Sequence, residues 1–158
     1  MSKFWATMLS TFFYVGKFPF APGTLASYVA TLLYLFLPKN FIIFFAIVIV
    51  ITIIGIYSGA AMEKILKKKD PGCVVIDEVA GMLIALWGLP MNFPIVITAF
   101  FLFRAFDMFK IYPANKLEER GGGLGIMMDD IVAGIYTNLV MRLAIWLLGS
   151  CAIFKGLC

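Results

Sequence analysis

Between Phe41 and Ala61 the chain is almost unbroken isoleucine, phenylalanine and valine. About 20 apolar residues in helical rise match the hydrocarbon thickness of a bilayer, so this run is expected to cross one. The remaining sequence agrees. Of 158 residues, 63% are hydrophobic and 14% charged, whereas an ordinary soluble domain carries roughly 25% charged residues. The expected fold is an all-α, polytopic membrane helix bundle. It has four to five spanning helices and a short N-terminal interfacial or re-entrant helix, forming one domain over residues 1–158.

Phe4 to Val15 is too short to span and is expected to lie at the interface. No small-residue cleavage site follows it, only Pro19-Phe20-Ala21-Pro22-Gly23, so the segment is expected to be mature protein. Thr24 to Leu37 forms the next helix, with Thr24 as N-cap, and stops at Pro38. Gly55 and Gly59 make a small-residue pair within Phe41 to Ala61, which admits a close helix neighbour and raises the expectation of a homodimer. Val74 to Leu89, Phe93 to Met108 and Ile126 to Leu148 complete the apolar runs.

Basic residues orient these helices. Lys64, Lys67, Lys68 and Lys69 lie in one connection, and Lys110, Lys116 and Arg120 in another. Both connections fall on one side if the intervening pair is a hairpin, and the positive-inside rule makes that side cytoplasmic. The net charge of +4 is thereby read as topology and contact with anionic headgroups; no nucleic-acid partner is expected. Cys73, Cys151 and Cys158 show no metal or disulfide spacing. The absence of histidine excludes serine triads, histidine phosphotransfer and haem ligation.

The acids gather on that side. Asp77 and Glu78 open a helix leaving it, Asp107 closes a helix arriving there, and Asp129 and Asp130 open the last helix. An ionised Asp at mid-membrane costs roughly 2.5–3.5 kcal/mol, and several together repel, so the cluster needs cations. Oxygen ligands without His or Cys favour Mg²⁺ or Mn²⁺ over zinc or copper. Individually the acids can be read as helix-dipole partners, and Arg104, Asp107 and Lys110 as an i, i+3 ion-pair ladder. Two adjacent-acid doublets plus Asp107 at one depth favour a metal site. Helix N-termini at the same face supply amide donors for an anion. Pro22-Gly23-Thr24 and the Gly121 to Gly125 loop, with Gly123 at its centre, permit close backbone approach. Arg104 can grip phosphate in a planar fork and Lys110 can act as a point charge. Metal, cation and amide donors together are the apparatus of phosphoryl transfer.

Four stretches resemble the phosphatidylglycerophosphatase A family, in the family's order. They are Pro19 to Ser27, Asp70 to Gly81, Phe103 to Lys110 and Gly122 to Gly134. The resemblance implies a Mg²⁺-dependent lipid phosphomonoesterase at the inner face of a bacterial membrane, with phosphatidylglycerophosphate, an anionic phospholipid, as substrate. By motif position it points to Asp77, Glu78, Arg104, Asp107, Lys110, Asp129 and Asp130. Lys110-Ile111-Tyr112-Pro113 departs from the family's Lys-Pro, aromatic, Pro pattern. The rival class is a divalent-cation or proton-coupled transporter, which needs polar residues along a path. Phe41 to Ile54 and Ala133 to Leu148 are expected to offer almost none. A transferase acting on CDP-alcohols would need a spaced aspartate motif that the chain lacks.

Overall fold

The computed structural model describes residues 2–38, 40–109, 112 and 121–155. These residues form six α-helices and no strand. Helix α1 (Lys3–Ser10) is followed by a reversal in which Phe12, Phe13 and Tyr14 all take positive φ. The Thr11 side-chain oxygen accepts the Tyr14 amide at 3.1 Å and fastens that turn. A 3-10 turn, Val15–Lys17, leads towards α2 (Pro22–Phe36). Pro22 occupies the first helical position, where its missing N–H leaves no bond unmade. The N-cap is Ala21, in the left-handed region at φ 43°. Thr24 is therefore inside the first turn and not the cap expected of it.

Helix α3 (Phe41–Leu66) is started by Asn40, whose side chain accepts the amides of Ile42 and Ile43 at 3.0 and 3.3 Å. It runs past Ala61, so Lys64 belongs to its last turn. Helices α4 (Ile76–Leu86), α5 (Phe93–Phe109) and α6 (Gly122–Lys155) follow. The last begins four residues earlier than its hydropathy implies. Gly122 to Gly125 form its first turn and not a loop, and Asp129 and Asp130 sit about two turns in.

Helix α4 is the hub, touching α2, α3, α5 and α6. All its residues except Glu78 and Ile84 are buried, because it carries small and apolar side chains on every face. Gly81 and Gly134 set how close it comes to α6. A Cβ at Gly134 would collide with the Gly81 carbonyl, and one at Gly81 with the Asp130 carbonyl and the Phe103 ring. The α3–α6 contact uses the same device: Gly55 faces Met127, and Gly59 faces Gly123 and Ile126. The small-residue pair expected to serve a homodimer is thus consumed inside the bundle.

Among the described residues, two helices, α3 and α6 through Leu148, are long and apolar enough to cross a membrane. At about 1.5 Å per residue, α2 with 15 residues, α4 with 11 and α5 with 17 are each shorter than a hydrocarbon core of about 30 Å. The outside of the bundle is strongly apolar, with Ile42, Val50, Phe101, Leu143 and Trp146 all exposed. Together with the two long apolar helices, this exterior is compatible with a membrane protein.

Candidate metal and phosphate site

The connection into α4 is tied to the N-terminal segment. The Val75 amide donates to the Ser10 carbonyl at 2.9 Å, and Gly16 packs against the Cys73 carbonyl. Two residues further on, Asp77 and Glu78 fall in the first turn of α4. Helix α6 brings Asp130 opposite them. One carboxylate oxygen from each of Asp77, Glu78 and Asp130 lies within 4.8 Å of the other two. Asp77 and Asp130 are 7% and 2% exposed, and Glu78 is half-buried.

Helix α5 completes the cluster from its C-terminal end. Arg104 pairs with Asp107 one turn later, and Asp107 is near enough to Asp130 for the two charges to repel. Asp77 and Glu78 bring carboxylate oxygens within 4.8 Å of each other. At an effective dielectric of 20, two unit charges 4 Å apart repel by about 4 kcal/mol. Such contacts persist only with protons or a cation between the oxygens.

Three buried atoms carry the strongest signal. Asp77 Oδ1, Glu78 Oε2 and Arg104 Nε have no hydrogen-bond partner among the described residues. Buried polar groups are nearly always satisfied, and each unsatisfied one marks strain or a missing ligand. Two orphaned carboxylate oxygens within an all-oxygen donor set fit a hard divalent cation. The orphaned guanidinium nitrogen beside them suits an anion.

The expected residues divide accordingly. Asp77, Glu78 and Asp130 converge, with Asp107 and Arg104 against them. Glu78 is one of the three converging carboxylates. Asp129 is buried beside the group and accepts the Asp130 amide at 3.0 Å, but it lies outside the three-carboxylate set. Thr24 is exposed. Its neighbour Gly23 is the residue that touches the site, since a Cβ there would strike the Glu78 carboxylate and lie 3.4 Å from an Arg104 nitrogen. Gly123 faces the Ile56 carbonyl of α3, so it serves the close α3–α6 contact. Lys110, Lys116 and Arg120 lie outside the described residues.

The far half of α6 also differs from expectation. Asn138 and Arg142 interrupt its apolar run, and both are committed to α4. Asn138 Nδ2 donates to the carbonyls of Ile84, Ala85 and Trp87 at 3.2, 3.0 and 2.7 Å. The expectation of almost no polar lining meets two polar side chains here, both bonded within the bundle. An amide and a guanidinium four residues apart inside an apolar stretch were the available signal. A cavity of about 550 Å³ lies at this same end, bounded by Tyr34, Phe41, Trp87 and Leu89 and lined by no carboxylate. The cavity and the carboxylate group thus lie at different ends of α4.

Against known proteins, the family model for phosphatidylglycerophosphatase A matches residues 8–145. A Bacteroides thetaiotaomicron protein, provisionally named a phosphatidylinositol-3-phosphatase, is 38% identical over 156 residues, covering 93% of this chain and 98% of its own. Phosphatidylglycerophosphatase A of Escherichia coli is 38% identical over 141 residues, covering 85% of this chain and 80% of its own. The Haemophilus influenzae protein of the same name is 34% identical over 136 residues, covering 81% and 82%. No solved structure matches.

Proposed function

Because this chain belongs to the phosphatidylglycerophosphatase A family, we propose that it hydrolyses the terminal phosphomonoester of phosphatidylglycerophosphate, releasing phosphatidylglycerol and inorganic phosphate. The reaction depends on Mg²⁺ and takes place at the cytoplasmic face of a bacterial inner membrane. The observation that carries this is the trio of carboxylates with two orphaned oxygens beside an orphaned Arg104 nitrogen.

Asp77, Glu78 and Asp130 would hold the cation, with Asp107 and Asp129 adding negative charge around it. A bound divalent ion would lower the pKa of a water and draw charge from the phosphoryl oxygens. Arg104 is held by Asp107 on one edge and keeps Nε free for a phosphate oxygen. Gly23, lacking a side chain, lets the headgroup reach Glu78 and Arg104. The attacking water would lose its proton to a carboxylate of the cluster. Its oxygen bonds to phosphorus as the bond to the glycerol oxygen breaks, and the departing oxygen takes up a proton. Lys110 adds a point charge for the phosphate.

Residues 1–158 form one membrane-embedded domain. Helices α2, α3 and α6, with the α4–α5 pair, make the four to five crossings, and α1 lies at the interface. Short α4 is tolerated at membrane depth because protein surrounds it, which is the condition for backbone ends inside a bilayer. The basic residues between α3 and α4 place the acid end inside. A Leu66→Cys variant is therefore labelled by impermeant thiol reagents only after the inner face is opened; labelling of intact cells overturns the orientation.

The decisive assay is phosphate release by purified protein in mixed micelles of phosphatidylglycerophosphate, with and without Mg²⁺. Release only with the metal is expected, and no release at any metal concentration overturns the proposal. The Bacteroides relative's name favours a second substrate of the same chemistry, a phosphomonoester on an inositol headgroup. A parallel assay with phosphatidylinositol-3-phosphate separates the two by kcat/KM.

A further inference from the structure

Helices α4 and α6 both leave the acid end and run the same way, and their contacts repeat in step. On α4, Asp77, Gly81 and Ala85 follow at i, i+4 and i+8; on α6, Asp130, Gly134 and Asn138 do the same. Asp77 meets Asp130 at the carboxylate cluster, Gly81 meets Gly134 backbone to backbone, and the Ala85 carbonyl accepts from Asn138 at 3.0 Å. Eight residues of helix rise by about 12 Å, so the cluster and the amide are matched rungs of one ladder.

The upper rung is tightly built. A helix ending among apolar neighbours leaves carbonyls that must find donors. Asn138 supplies them to Ile84, Ala85 and Trp87. Arg142 then donates to the Asn138 side-chain oxygen at 2.7 Å and to the Trp87 carbonyl at 2.9 Å. It stacks over the Trp87 ring 5.5 Å from the centroid. Gly88, at φ 65°, leaves room for the guanidinium, which a Cβ there would strike. A slip of α4 by one residue would shift its end by about 1.5 Å and break this set of bonds together. The middle rung, two glycines, resists compression but not sliding.

We propose that Asn138, braced by Arg142, is a positioning residue that sets the axial register of α4 on α6 and so holds Asp77 and Glu78 level with Asp130. The proposal rests on the metal site above, and its test reads the register without metal as well as with it. Full-length purified protein is compared with Asn138→Ala and Asn138→Asp; the second keeps volume but lacks the amide donors, and it carries the test if the first does not fold. Leu139→Ala, next door and exposed at 57%, is the control and moves neither readout.

Without metal, hydrogen exchange in the Asn138 variants quickens along α4 as far as Ile76 to Val79, about 12 Å from the substitution. With Mn²⁺ as the probe, the spectroscopic binding midpoint rises about tenfold or more, as for lost partners that orient metal ligands, while KM for the lipid stays within about twofold. Quickened exchange confined to residues 84–89 overturns the proposal and leaves Asn138 a local helix cap. An unchanged Mn²⁺ midpoint likewise overturns it wherever the unsubstituted protein binds Mn²⁺. If that protein binds none, the metal assignment fails separately and the exchange pattern alone decides the register.

Discussion

The two ends of the α4–α6 pair handle buried polar groups in opposite ways. At the Asn138 end each named donor and acceptor is used: three carbonyls, an amide and a guanidinium close on one another. At the Asp77 end four carboxylates crowd together, while Asp77 Oδ1, Glu78 Oε2 and Arg104 Nε are left without partners. Burying such groups unpaired costs free energy at both ends alike. The satisfied end repays that cost through structure. The unsatisfied end can repay it only through something that arrives from outside the chain. Polarity is thus met at one end and unmet at the other, and that difference sets the two ends apart.

Substitutions at the two ends should separate along the same line. The largest effect is expected from Asp77→Asn or Asp130→Asn, each lowering phosphatase turnover at least about 100-fold, beyond the 10–100-fold typical of outer-shell partners. Thermal melting should hold or rise, since a repelling charge has gone and binding sites commonly trade stability for function. Asp77→Asn/Asp130→Asn should be little worse than the poorer single, because groups serving one ion are not additive. Additive losses would dissolve the comparison by making these acids independent helix-end charges.

Arg104→Lys comes next. It keeps the charge and loses the planar fork, so kcat/KM should fall by roughly 10–100-fold, the equivalent of about 1.5–3 kcal/mol for a hydrogen bond to a charged group. Near-normal turnover would return Arg104 to an ordinary pair with Asp107. Gly23→Ala should cost about tenfold in activity, since overpacking typically costs about 1–3 kcal/mol and its methyl would press on Glu78. Thr24→Ala, one residue along and exposed, should leave steady-state kinetics within about twofold. Equal losses at 23 and 24 would mean that α2 acts through its fold and not through contact with the site.

The sequence by itself determined the helical class, the apolar runs and the acids at their shared ends, because hydropathy and charge are properties of a segment and survive without its neighbours. Its four motif stretches were enough to identify the family. Tertiary structure alone decided how each helix is turned and how far it slides. Successive residues are about 100° apart around a helix axis, so Thr24 faces out while Gly23 meets Glu78. Gly55 and Gly59 likewise face α6 and not a second copy. Asp129 and Asp130, equal in sequence, part company, and only Asp130 joins the carboxylate trio. Rotation and register are settled by which surfaces interlock, such as Gly81 on Gly134 and Asn138 on the end of α4, and that information resides in no single segment.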